Sequence, residues 1–152
     1  MTARDLETPG VTVVPMGITF ADGTATVDDG SMTKDEFFTR LAEDSKLPRT
    51  SQPSPASFIE LFEDAADAGD EVIVITVAQK LSGTYQCASL AAAETDAKVY
   101  IIDSETATQG EAIIAREAIR LREQGLSASR IAAELETFKK RVRVVAIVDS
   151  LK

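Results

Sequence analysis

Residues 71–76, EVIVIT, form an apolar run without polar alternation, and residues 98–102, KVYII, form a second. A strand with one wet face alternates, so such runs predict strands buried on both faces of a parallel sheet. Each run leads into a helical pattern. After the first, a loop over 77–81 reaches Ser82-Gly83 and a helix that continues through Ala93. After the second, Ile114, Ala118 and Leu121 recur at helical spacing and Gly125 stops the helix. A further helix then carries Ile131, Leu135 and Phe138. This alternation predicts an α/β fold in three layers, α/β/α, with a mainly parallel sheet. VRVVAIV (142–148) reads as the last strand, ending at Asp149-Ser150.

The upstream part has another grammar. VTVV (11–14) is a short β-branched run ending at Pro15, and ITFADGTATV reads as a small β-hairpin turning at Asp22-Gly23. TKDE supplies a capping box, Thr33 as N-cap and Glu36 three residues on. The helix it opens is expected to set Phe37, Phe38 and Leu41 on one side and to end before Pro48. Ser54-Pro55 marks the next helix start, a hydroxyl cap followed by proline at the first helical position. Phe58, Leu61, Phe62 and Ala65 follow at helical spacing, and Gly69 terminates the helix.

Several function classes are excluded by what the chain lacks. There is no histidine and one cysteine, Cys87. An intrachain disulfide, a Ser-His-Asp triad and a Cys-His pair therefore cannot be built from it. The usual zinc ligands are missing as well, and Asp28-Asp29 alone make a weak case for Ca²⁺, so no metal is expected. The formal net charge is −9, which repels phosphate backbones. The one basic cluster, Lys139, Lys140, Arg141 and Arg143, is better read as complementing a helix dipole, and nucleic acid is not an expected partner. No apolar run approaches the ~20 residues needed to span a bilayer. MTARDLETPG has no secretory apolar stretch, so a cytoplasmic location is expected.

Two segments have chemistry to spare. In RTSQPSPASF (49–58), Ser54 and Pro55 start a helix, whereas Thr50 and Ser51 have no evident structural job beyond an extended loop. In QKLSGTYQ (79–86), Ser82 and Gly83 fall where a helix begins after a parallel strand, a place where free N–H groups favour an anion. It is neither a P-loop nor G-x-G-x-x-G, so a nucleotide is poorly supported and a carboxylate suits it better. Local pattern alone favours a capping serine and a turn glycine, because capping serines are common. Cys87 reads as a small core residue, and Asp103-Ser104 with Thr106-Thr108 as turn and cap chemistry.

Together the segments are more specific. LPRTSQPSPASF (47–58) and LSGTYQCA (81–88) resemble the two signature segments of the DegV family of bacterial fatty-acid-binding proteins. GVTVVPMGITF, MTKDEFFTRL, GDEVIVITVAQKLSGTY, KVYIIDSETATQG and VRVVAIVDSLK resemble successive blocks of that family, from about Gly10 to Leu151. The resemblance implies a carrier and not an enzyme: a long-chain fatty acid is the ligand, with no other cofactor, and a separate fatty-acid kinase is the partner to which its head is presented. Carried over by motif, Thr50, Ser51 and Ser82 should contact the carboxylate, with Gly83 and Thr84 shaping the pocket. It also implies a first strand ahead of MTARDL and a second α/β domain after IVDSLK. Residues 1–152 are therefore expected to form a single, partial first domain that lacks both, with a free sheet edge able to support a homodimer. The alternative is a truncated non-binding paralogue serving as a structural or protein-interaction module. Hydrolysis by Ser82, with Lys80 as base, ranks third.

Overall fold

The computed structural model describes residues 7–44 and 46–145. In chain order the elements are β1 (Gly17–Thr19), β2 (Ala25–Val27), α1 (Lys34–Glu43), β3 (Arg49–Ser51), α2 (Pro55–Ala68) and β4 (Val72–Thr76). They continue with α3 (Thr84–Ala93), β5 (Val99–Asp103), α4 (Gln109–Glu123), α5 (Ala128–Phe138) and a 3-10 turn at Lys139–Arg141.

The two apolar runs are β4 and β5, paired in parallel from Val72↔Val99 to Thr76↔Asp103. Their side chains alternate between two cores. Val72, Val74, Val99 and Ile101 pack on Phe58, Phe62, Cys87, Ala88 and Ala91 from α2 and α3. Ile73, Ile75 and Ile102 join Ile114, Leu121, Ile131 and Leu135 from α4 and α5. Helices on both faces explain why neither strand carries polar alternation, and the three-layer α/β/α expectation holds. Among the described residues β4 and β5 pair only with each other, so each has one free edge.

A second sheet is antiparallel, in the order β2-β1-β3. The hairpin turns at Gly23 (φ +84°), where the Asp22 carboxylate accepts from the Thr24 N–H at 2.8 Å. Arg40 fastens α1 to this hairpin: it donates to Asp22 at 2.8 Å and lies 3.8 Å over the Phe20 ring. The capping box of Thr33 and Glu36 is formed as expected. The apolar side expected for α1 is not: the helix buries no side chain and Phe38 is 61% exposed. Phe37 and Arg40 both contact Phe20, while Phe38 meets Phe37 edge-on, with ring centroids 5.7 Å apart, and stays exposed.

Two expected strands also differ. VTVV forms none, since Val11 closes a turn onto the Thr8 carbonyl and Val14 packs on the α2–α3 core. Arg122 of α4 holds this stretch by donating to the carbonyls of Pro9 and Gly10 at 2.8 and 3.3 Å. Residues 142–145 are not in a strand, because Val142 closes the 3-10 turn and packs into the α4–α5 core. Residues 146–148 of that expected strand lie outside the described residues.

Lys139 does more than complement a dipole. Its buried ammonium donates to the Asp103 carbonyl at 3.0 Å and pairs with Glu136 at 2.8 Å and Glu105 at 3.1 Å, joining the end of α5 to the end of β5. Burial by itself would lower the pKa; the hydrogen bonds to Glu136 and Glu105 outweigh it and hold the group above the ordinary lysine value. With the folded pKa raised, this stabilisation is complete below about pH 10.4 and is lost as pH climbs through the folded value. Both carboxylates are more than half exposed, which screens the pairs. Lys139→Met is therefore expected to cost roughly 1–2 kcal/mol near neutral pH and to flatten the alkaline fall in stability. Urea titrations on either side of about pH 10.4 check this; equal alkaline sensitivity in both proteins would contradict it.

Candidate functional site

The site is assembled at the carboxyl ends of β4 and β5, the position at which open α/β sheets bind ligands. From Thr76 the chain makes a tight turn: Ala78 donates to the Thr106 carbonyl at 2.8 Å, and Leu81 and Ser82 donate back to Ala78 at 2.8 and 3.2 Å. α3 then begins with Gly83 as its backbone cap. Ser82 stands one residue earlier than an N-cap, yet its hydroxyl does the capping. It accepts from the Thr84 N–H at 3.3 Å and pairs with the Thr84 hydroxyl at 2.8 Å. Ser82 is half-buried and Thr84 buried. No acidic residue occupies the first turn of α3, so its N–H groups and dipole face no competing carboxylate there.

Thr50 and Ser51 are not in a loop. They belong to β3, opposite Ile18 and Gly17 of β1, with both residues exposed. Gly17 is open enough for the Ser51 hydroxyl to lie where a side chain would otherwise stand. The next two residues tie this strand to α3. The Gln52 carboxamide rests on Gly83, where an added Cβ would meet Oε1 and lie 3.1 Å from Cδ. Pro53 is buried, and its carbonyl accepts from the Cys87 thiol at 3.2 Å. The two segments that are separated in sequence are thus held side by side.

A third loop borders the same end of the sheet. The Asp103 carboxylate accepts from the N–H groups of Gln79 at 3.2 Å and Glu105 at 2.9 Å. Buried Ser104 donates to the Thr106 carbonyl at 3.2 Å and accepts from its N–H at 3.3 Å. Asp103 and Ser104 therefore do the turn chemistry expected of them. Glu105 and Thr108 hold φ of +55° and +54°, strained for residues with a Cβ. Cys87 is buried, and burial pushes its thiol pKa up, so it is protonated at neutral pH and no nucleophile.

Gln52, Pro53 and Thr76 were missed by sequence reasoning. Thr76 shares the face of Val72 and Val74 and ends β4 with a buried hydroxyl that has no hydrogen-bond partner among the described residues. Strand parity could have placed it; nothing local marks it as polar and buried. Among the described residues two shallow, open concavities lie elsewhere, one between the hairpin and α1 around Thr26, Met32 and Arg40, the other beside Phe138 and Arg141. Neither includes Thr50, Ser51 or Ser82. Among the described residues no group of His, Cys, Asp and Glu could hold a metal ion, and no helix is long and apolar enough to cross a membrane.

The family model described as "Uncharacterised protein, DegV family" matches residues 1–152. A DegV domain-containing protein of Caldanaerobacter subterraneus subsp. tengcongensis is 35% identical over 147 residues, covering 96% of this chain and 52% of its own length. The chain spans about half the length of the curated relatives it matches. A stearic-acid-binding protein of Eubacterium ventriosum superposes with a TM-score of 0.80 at 31% identity, over 90% of this chain and 48% of that one. The Fatty Acid Kinase (Fak) B3 protein of Streptococcus pneumoniae, loaded with linoleic acid, gives 0.70 at 25% identity, over 84% and 45%.

Proposed function

The chain belongs to the DegV family, and on that premise we propose that it holds a long-chain fatty acid by its carboxylate, at Thr50, Ser51 and Ser82, for presentation to a fatty-acid kinase. Gly83 and Thr84 shape the pocket: Thr84 fixes the Ser82 hydroxyl, and Gly83 lets the β3 segment approach α3. Thr50 and Ser51 on the edge strand and Ser82 at the helix start supply neutral donors, and the N-terminus of α3 adds a favourable field.

The observation that carries this reading is the double tie of Gln52 onto Gly83 and Pro53 onto Cys87. It joins two hydroxyl-bearing segments at the carboxyl end of a parallel sheet, and neither tie is needed merely to cap a helix. Fatty-acid binding in similar proteins supports the choice of ligand. Burial of the tail supplies affinity at ~0.8 kcal/mol per methylene before ordering costs, while the polar head fixes orientation. The edges of β4 and β5 that are unpaired among the described residues are where a second copy could add a strand.

Native mass spectrometry of the chain, before and after denaturation, tests the proposal. A co-purifying long-chain acid, or a mass increase matching one added oleate, is the expected result. An unliganded mass that oleate leaves unchanged would sink the carrier reading and favour a structural module.

A further inference from the structure

Given the fatty-acid site proposed above, on which this rests, we infer that Gln52 is a further head-group residue: its side-chain N–H₂, set in place by Gly83, donates to the bound carboxylate. Gly83 has φ −74° and ψ 5°, a backbone that any residue adopts, so conformation does not demand glycine there. Close approach does. The Gln52 Oε1 occupies the space of a residue-83 side chain, with Cδ 3.1 Å and Nε2 3.4 Å from the Cβ that glycine lacks. With the amide oxygen laid nearest Gly83, the N–H₂ is left for another acceptor. No hydrogen bond engages the Gln52 side chain among the described residues, although it stands beside the start of a helix.

The backbone on either side of Gln52 is fixed. Ser51 is paired to Gly17 in the antiparallel sheet, and the Pro53 carbonyl is bound by the Cys87 thiol. Gln52 is thus presented between Ser51 and Ser82-Gly83 with little main-chain freedom left to lose on binding. An amide in that place adds directional donors without a charge. It favours an anionic head over a neutral one because a carboxylate is the stronger acceptor.

The test compares oleate with oleyl alcohol, two ligands with the same tail, by calorimetric titration of the 152-residue chain. Gln52→Glu replaces a donor by a like charge. It is expected to weaken oleate about ten-fold or more, roughly 1.4 kcal/mol, while oleyl alcohol changes by no more than about two-fold. Gly83→Ala, which pushes Gln52 aside at little cost because only a flexible side-chain end must move, should weaken oleate in the same direction. Adding Gln52→Met to Gly83→Ala should bring no further loss, since the two changes remove one interaction. Equal losses for acid and alcohol in Gln52→Glu, or no loss for either, would overturn the assignment. If Thr50 and Ser82 variants lose oleate while Gln52→Glu does not, only the role of Gln52 falls. If the unmodified chain binds neither ligand, the carrier reading falls and takes this one with it.

Discussion

Phe62→Ala is expected to remove about 3–5 kcal/mol of stability, against a total of roughly 5–15 kcal/mol for a domain of this kind. Phe62 is 2% exposed and is among the largest fully buried side chains. Its ring lies 5.9 Å from that of Phe58, one turn earlier on α2, and both belong to the core shared with α3 and β4. The neighbours cannot close the gap. On α3 they are Cys87, Ala88 and Ala91, already small, and the paired strands β4 and β5 form the floor. The cavity therefore persists, which places the cost toward the upper end of its range. For a chain of this length the melting temperature should drop by roughly 10 °C or more. Phe62→Leu should recover most of that, and Phe38→Ala, on an exposed ring, should change it little. Thermal and urea unfolding followed by circular dichroism measures all three. A Phe62→Ala protein as stable as its parent would mean that α2 is not packed on this sheet.

The elements legible in the sequence are those whose cause is local. EVIVIT and KVYII carry the signature of two-sided burial in their own residues, and Ser54-Pro55 and Gly69 mark both ends of α2 without help from elsewhere. What could not be read is pairing at a distance. β3 is three residues long and exposed, and exists only because Gly17, Ile18 and Thr19 lie opposite it. VTVV has the composition of a strand, yet Val11 closes a turn onto Thr8, Val14 packs on a core, and the residues just ahead, Pro9 and Gly10, are held by Arg122, a partner in α4. Lys139 looked like one charge in a surface run; its burial depends on Asp103 and Glu105, in and beside a strand far upstream. The site divides the same way. Thr50 and Ser51 stand out as hydroxyls without evident structural work, Ser82 reads locally as a capping serine, and only their pairing in two family-like segments makes all three candidates. Gln52 gave no such sign, because what matters about it is a contact with Gly83. A glycine at a helix start with an ordinary φ was the one available clue, and it requires the backbone to be seen.

Removing the Thr50 and Ser82 hydroxyls together is expected to cost the largest loss of function: affinity for oleate lower by about 100-fold or more. In the proposed site each hydroxyl would donate to a charged acceptor, an interaction worth roughly 1.5–3 kcal/mol, so the pair would be worth about 3 kcal/mol at least. Neither residue holds the core. Thr50 is an exposed position of the edge strand β3, and alanine there changes stability by tenths of a kcal/mol. Ser82 caps α3 from the preceding position, so Ser82→Ala should cost roughly 1 kcal/mol through its bonds to Thr84. The double variant should therefore stay folded while losing the acid. Comparison with methyl oleate separates head from tail: the ester keeps the acyl chain but not the charge. Its affinity should be nearly the same in both proteins, and the preference for acid over ester should collapse in Thr50→Ala/Ser82→Ala. Thr50→Ser, which keeps the hydroxyl and drops the methyl, should retain most of the preference. A double variant that still prefers the acid as strongly as its parent would move the carboxylate away from these two segments, however firmly Gln52 and Pro53 bind them together.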